Sequence, residues 1–189
     1  KYIIASIPML GRVIFADGSR WDPATSKALT LAGTDDDDYL VAYPGGSKFY
    51  AGGGDDWLEG AEGVDSLYGG EGDDDLFGGN GDDTLAGGAG NDWLNGGGGS
   101  DTYLFNAGDG QDTINGMFMP EGASLSDRET IRFGSGLLAE AAIIIRSDDS
   151  LIITFRGSDD SITLEGYFSP FLRPEYRIVF ADGAEWDYA

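Results

Sequence analysis

From Gly33 to Asn115 a large apolar residue returns at every ninth position. The series reads Leu40, Phe49, Leu58, Leu67, Leu76, Leu85, Leu94 and Tyr103; after two extra residues, Phe105 and Asn106, it ends at Ile114. Between these positions the chain is glycine-rich and acidic, so each nine-residue unit has two halves. The first six residues form a turn. The last three, polar-apolar-polar, form a very short strand whose central side chain points inward while its neighbours point outward. Two units make one coil of 18 residues. Stacked coils then place odd-numbered copies along one sheet and even-numbered copies along the other, which predicts a parallel β-roll.

The flanks follow a different pattern. Residues 1–32 are a short lead-in. Tyr2-Ile3-Ile4 and Arg12 to Phe15 read as short β-branched strands, with Ala16-Asp17-Gly18 as a tight turn. Asp22-Pro23 followed by Ala24 to Leu31 reads as the capped start of a short helix. Residues 116–189 lose the glycine and show strand-like runs at Glu129 to Phe133, Ala142 to Arg146, Leu151 to Phe155, Ser161 to Phe168 and Tyr176 to Phe180. Polar turns separate them, which predicts an antiparallel meander that covers the open end of the roll. Met117 to Asp127 reads as a loop, and its Glu121 and Asp127, with Glu129, either add one further calcium or, the preferred reading, are solvated surface charge. The expected fold is therefore all-β: a parallel β-roll over 33–115, whose turns are read below as calcium-loaded from their carboxylates, a C-terminal antiparallel strand cap over 116–189, and the N-terminal lead-in.

The lead-in also recurs. RVIFADGSRWD (Arg12 to Asp22) matches RIVFADGAEWD (Arg177 to Asp187) at an offset of 165 residues. Either the parent protein repeats the whole unit in tandem, so that residues 1–22 close a preceding copy, or a hairpin alone is repeated.

The turns supply the candidate chemistry. Their consensus is G-G-x-G-x-D, and the sixth position is Asp38, Asp56, Asp65, Asp74, Asp83, Asp92, Asp101 and Asp112, with Ser47 as the exception. Stacking brings successive carboxylates of one edge together: Asp38 with Asp56, Asp56 with Asp74, Asp74 with Asp92 and Asp92 with Asp112 on one, Asp65 with Asp83 and Asp83 with Asp101 on the other. Such pairs repel unless a cation joins them. Calcium, a hard ion that takes six to eight oxygen ligands from carboxylates and carbonyls, fits; magnesium demands stricter geometry. Ser47 opposite Asp65, with Lys48 beside it, marks a weak or empty site. About five to seven ions are expected. No window fits the calcium loop of an EF-hand.

Composition narrows the picture. The formal net charge of −23, from 34 acidic and 11 basic residues, argues against nucleic acid and against an anionic membrane surface. It also disfavours a compact state by self-repulsion unless cations are bound. The chain has no Cys and no His, which leaves no disulfide framework, no His- or Cys-ligated zinc and no Ser-His-Asp triad. No isolated carboxylate pair suggests a glycosidase, so no enzyme activity is expected. The composition alone would suit a disordered acidic linker. The strict ninefold return of large apolar residues argues for an ordered roll. Outward-facing Tyr39, Trp57, Phe77 and Trp93 on one sheet, and Tyr50 and Tyr68 on the other, either pack against the flanking segments or form a surface that binds a partner such as a glycan.

These residues resemble a known family. Gly33 to Asn115 resembles the RTX, or haemolysin-type, calcium-binding repeat block, and DTYLFNAGDGQDTI (Asp101 to Ile114) resembles the usual exit from it. The segment from Glu129 through IVFADGAEWD resembles the haemolysin-type calcium-binding-related domain. The resemblance implies that carbonyls of the first four turn positions join the sixth-position Asp as ligands. Where this chain matches, those residues are Gly33 and Asp35; Gly52 and Gly54; Gly60, Glu62 and Gly63; Gly69, Gly70, Glu71 and Gly72; Gly78, Gly79, Asn80 and Gly81; Gly87, Gly88, Ala89 and Gly90; Gly96, Gly97, Gly98 and Gly99; and Gly108 and Gly110. Copy one departs with Thr34 and Asp36, and copy two with Tyr43 and Ser47. The resemblance further implies a bacterial protein, secreted or on the cell surface, exported unfolded by the type I secretion machinery and folded by calcium outside. Its role would be a non-catalytic folding module of a toxin or adhesin, with a polysaccharide-binding module as the alternative.

Overall fold

In a computed structural model, residues 2–3, 13–14, 20–21, 29–42, 44–115, 127–169 and 175–187 are described. The lead-in contributes β1 (Tyr2–Ile3), β2 (Val13–Ile14), β3 (Arg20–Trp21) and β4 (Leu29–Ala32). The repeat block contributes β5 (Tyr39–Val41), β6 (Ser47–Gly53), β7 (Trp57–Glu59), β8 (Ser66–Glu71), β9 (Asp75–Asn80), β10 (Thr84–Ala89), β11 (Trp93–Gly98), β12 (Thr102–Phe105) and β13 (Gln111–Asn115). The remainder forms β14 (Arg128–Phe133), β15 (Ala142–Ser147), β16 (Ser150–Phe155), β17 (Ser161–Glu165), β18 (Glu175–Val179) and β19 (Glu185–Asp187). The chain is all-β, with no helix among the described residues.

The strands form two main sheets. One runs β1-β5-β7-β9-β11-β13-β17-β16-β15, and the other β19-β18-β14-β12-β10-β8-β6-β4. Odd copies line the first and even copies the second, as the ninefold period requires. Within the block every pairing is parallel, with Leu58 opposite Leu76 on one sheet and Leu67 opposite Leu85 on the other. The inward residues Leu40, Leu58, Leu76, Leu94 and Ile114 form one column, and Phe49, Leu67 and Leu85 the other, all fully buried. Alternation sets this: each polar-apolar-polar stretch turns one large side chain inward, and stacking keeps all of them in register.

Two expectations change. Leu29 to Leu31, placed in a helix by the capping signal, lies instead in β4. Leu31 there pairs with Phe49 and packs on the core, because stacking on the first even coil outweighs a local preference. The rest of the expected helix, Asp22 to Ala28, lies outside the described residues. The cap is antiparallel only in part. β14 and β18 continue the even sheet in parallel, and β17 continues the odd sheet in parallel. Antiparallel pairing begins at β17-β16-β15 and at β18-β19. The leucine columns end against an aromatic group: Phe133 lies 5.0 Å from Phe155 and 5.2 Å from Phe180, and Phe180 lies 4.4 Å from Trp186.

The repeated RVIFADG and RIVFADG segments share their pairing. Val13 faces Trp21 and Ile14 faces Arg20 in β2-β3, and Ile178 faces Trp186 and Val179 faces Glu185 in β18-β19.

Candidate metal centre

The sixth-position carboxylates stand in two buried columns along the turns. Asp38, Asp56, Asp65, Asp74, Asp83, Asp92, Asp101 and Asp112 are all buried. Each column is built by one recurring bond. The N–H of Asp38 donates to Asp56 Oδ1 at 2.6 Å, that of Asp56 to Asp74 at 2.8 Å, that of Asp74 to Asp92 at 2.8 Å and that of Asp92 to Asp112 at 3.0 Å. On the other edge Asp65 N–H donates to Asp83 at 2.7 Å, and Asp83 N–H to Asp101 at 2.8 Å. All six pairs expected from the stacking are brought together.

One oxygen of each carboxylate is thus held by backbone, and the second is the informative one. Asp56, Asp74, Asp83, Asp92 and Asp101 each bury an Oδ2 with no hydrogen-bond partner, and Asp38 does so with Oδ1. Burying an unpaired carboxylate oxygen is costly. Burial is accordingly the main cause of raised pKa values: Asp56 and Asp92 rise to about 6, Asp74, Asp83 and Asp101 to about 7, and Asp112 to about 8. A hard cation in each turn removes this cost, so the donor set fits calcium. Among the described residues no three acidic side chains converge closely enough to hold a metal by side chains alone. The carboxylates come in pairs, and carbonyls would supply the other ligands.

Glycine makes room for this arrangement. The first-position glycines Gly69, Gly78, Gly87 and Gly96 lie directly under the Oδ2 of their own repeat; a Cβ on Gly87 would sit 1.9 Å from Asp92 Oδ2. Second- and fourth-position glycines stack over carbonyls of the preceding coil at positive φ, as Gly88 (φ +113°) does over Gly70 O. Third-position carbonyls already accept ladder bonds, Asn80 O from Gly63 N–H at 2.8 Å and Ala89 O from Gly72 N–H at 2.9 Å. Each keeps one lone pair for a cation.

Copy two differs in the expected place but in a different way. Ser47 N–H donates to Asp65 Oδ1 at 2.5 Å, and Ala61 N–H to Asp65 Oδ2 at 3.3 Å, so both Asp65 oxygens have partners. Lys48, expected beside that turn, points outward instead. Its Nζ lies 5.1 Å from the Tyr50 ring centroid and 5.3 Å from that of Tyr68, because strand alternation turns the seventh position away from the turn.

Sequence reasoning missed three features. Fifth-position side chains form a second, exposed column running the opposite way: Asp55 N–H donates to Asp37 Oδ1 and Asp73 N–H to Asp55 Oδ1. Asp160, far along the chain, accepts the N–H groups of Gly108 and Gly110, each at 3.1 Å, and the Ser158 hydroxyl. Burial pushes its carboxyl up, but these hydrogen bonds outweigh that and hold it below the usual range. Glu129, read as solvated charge, is buried, and burial, then the nearby Asp101, raises it to about 9. Glu121 lies outside the described residues. Neither residue keeps the nine-residue spacing, so the repeat pattern points to no role for Asp160 and gives Glu129 no place at a turn.

The outer aromatics of the odd sheet form a continuous line. Ring centroids are 6.1 Å apart for Tyr39–Trp57, 4.4 Å for Trp57–Phe77 and 4.9 Å for Phe77–Trp93. Trp57 Nε1 within it is buried without a hydrogen-bond partner.

Two family models match the chain. The RTX calcium-binding nonapeptide repeat matches in four copies, over residues 32–67, 50–85, 68–103 and 77–114. The haemolysin-type calcium binding protein related domain matches residues 151–189. No curated protein matches in sequence. Among solved structures the chain is similar to a repeat subunit of the mannuronan C5-epimerase of Azotobacter vinelandii, with 27% identity over 77% of this chain and 80% of that one, at a TM-score of 0.42. It is also similar to the extracellular lipase of Serratia marcescens, with 18% identity over 75% of this chain, at a TM-score of 0.30. The match spans 38% of the lipase chain.

Proposed function

Because the chain belongs to the RTX calcium-binding nonapeptide repeat family, its repeat block followed by a haemolysin-type calcium binding protein related domain, we propose that it is a non-catalytic module of a larger secreted protein, folded by extracellular calcium. The observation that supports this most directly is the column of buried carboxylate oxygens without partners. Without a cation they repel one another in a chain of net charge −23, and the open, solvated chain is favoured. With calcium the same oxygens become ligands, and binding energy becomes folding energy. The sixth-position Asp residues and the turn carbonyls hold about five to seven ions, and Asp65 opposite Ser47 holds its ion weakly.

Such coupling suits export through the type I secretion machinery, because the chain stays unfolded where calcium is scarce and folds where it is plentiful. The parent protein would be a toxin or adhesin in which this unit, flanked by β2-β3 and its counterpart β18-β19, alternates with neighbouring units of the same polypeptide. Circular dichroism during calcium titration tests the proposal. Strand signal should develop with a midpoint on the order of 10⁻⁴ to 10⁻³ M calcium, the range of extracellular calcium modules, and magnesium should not replace it. A full strand signal in calcium-free buffer at neutral pH would sink it.

The line Tyr39-Trp57-Phe77-Trp93, with its unpartnered indole N–H, supports a second reading, a face that stacks on a neutral polysaccharide. Replacing Trp57 and Trp93 together by Ala should then abolish retention on such a polysaccharide. Unchanged retention, or none by the parent chain, removes this reading.

A further inference from the structure

The nine-residue period stops on the even edge at Asp101, but the bonding pattern of that edge continues for one more coil. Inside the block Asp83 N–H donates to Asp101 Oδ1 at 2.8 Å, Thr102 N–H donates to Asp83 O at 2.8 Å, and Ser100 N–H donates to Asp82 Oδ1 at 2.8 Å. One coil later Asp101 N–H donates to Glu129 Oε2 at 3.2 Å, Thr130 N–H donates to Asp101 O at 2.7 Å, and Arg128 N–H donates to Ser100 Oγ at 3.1 Å. The strands agree, with Thr102 opposite Thr130 and Tyr103 opposite Ile131. Glu129 therefore stands in the sixth-position slot of a further coil, 28 residues after Asp101 instead of 18. Asp127 stands in its fourth-position slot, where its carboxylate accepts Gly99 N–H at 3.2 Å.

Two observations point to a ligand there. Asp101 is 1% exposed; its Oδ1 turns back to the preceding coil, and its Oδ2, lying against Gly96, has no partner. Glu129, at 7% exposed, brings a second carboxylate against that turn from the next coil. Beyond it the slot belongs to buried Tyr176, so the column of carboxylates ends at Glu129. The odd edge ends otherwise. After Asp112 its slot is Ile162, and the nearby Asp160 is supplied by two backbone N–H groups and a hydroxyl.

We infer that Glu129 and Asp127, with the turn Gly96 to Asp101, form a further calcium site at the junction of roll and cap, outside the nonapeptide repeats. This rests on the calcium-folding reading. The ion ties β14, and through it β18, to the last even coil, so the even edge closes on metal while the odd edge closes on hydrogen bonds alone.

The test uses the full chain saturated with calcium. Glu129→Gln keeps an oxygen for Asp101 N–H but removes the charge. It should bind one ion fewer than the parent by equilibrium dialysis, and amide exchange should speed up in β14 and β18 but not in β8 to β11. Asp127→Asn should weaken the same site and shift the same exchange in the same direction, and it decides the matter if Glu129→Gln does not fold. Asp83→Asn, in the middle of the even edge, should lose calcium whatever happens at Glu129. Parent-like ion counts and parent-like β14 exchange in both Glu129→Gln and Asp127→Asn, alongside lost calcium in Asp83→Asn, overturn this inference alone. Unchanged calcium in all three overturns the calcium reading and the inference with it.

Discussion

At the scale of single residues, the roll depends on what glycine lacks. Gly88 sits at φ +113°, and a Cβ there would lie 2.2 Å from Gly70 O in the coil before. Gly108 has a similar φ of +95° but nothing within 4 Å of its Cβ position. Gly88→Ala combines backbone strain with a clash against backbone that cannot move away, whereas Gly108→Ala has the strain alone, about 1–3 kcal/mol. Gly88→Ala is therefore expected to raise the calcium midpoint for folding well beyond Gly108→Ala, as read by circular dichroism; equal shifts would show that stacking contact does not matter. The consensus already marks Gly88 as required, but it does not separate the two glycines. The difference lies in whether backbone of the preceding coil passes beneath, as Gly70 O does at Gly88 and nothing does at Gly108.

At the scale of elements, the roll strands and the cap strands differ in what holds them. Leu76 is fully buried between Leu58 and Leu94. Leu76→Ala should cost about 2–5 kcal/mol of stability in saturating calcium, measured by urea unfolding. β15 is an edge strand in which Ile143, Ile144 and Ile145 are 38%, 46% and 45% exposed. An apolar edge is open to pairing with another chain. Ile144→Lys should leave stability within about 0.5 kcal/mol while lowering the aggregated fraction in concentrated, calcium-loaded samples; a large loss of stability would show that this edge is covered by the protein's own core. The strand runs of the cap were legible from β-branched residues between polar turns. Their parallel pairing with the roll was not, because Asp112 meets Ile162 and Thr102 meets Thr130 across long intervening segments, and alternation looks alike in parallel and antiparallel strands.

At the scale of the whole molecule, the carboxylate columns make folding respond to pH in opposite directions with and without metal. In the metal-free fold, burial raises Asp74, Asp83 and Asp101 to about 7 and Asp112 to about 8, from about 4 in the unfolded chain. Groups raised in this way favour the fold fully below the unfolded value, and the contribution is lost as pH rises through the folded values. Calcium-stripped protein should thus show more strand signal at about pH 5 than at about pH 8. With calcium the trend reverses, since ligands must be deprotonated, and the calcium midpoint should fall as pH rises. A calcium-free strand signal that does not change over this range would mean the columns are not buried without metal.

The sequence by itself determined the repeating unit: an apolar residue every ninth position, a carboxylate two residues before it and glycines where the turn must close. Local covalent geometry is enough for that, because strand alternation and the freedom of glycine act within one repeat, and stacking identical repeats leaves a single register. Only the tertiary structure decided how the repetition stops. Glu129 takes the last carboxylate slot of one edge from 28 residues away, while Asp160 closes the other edge from 50 residues beyond Gly110. Those partners meet because sheets β12-β14 and β13-β17 carry the roll into the cap, and no spacing rule within the repeats reaches that far.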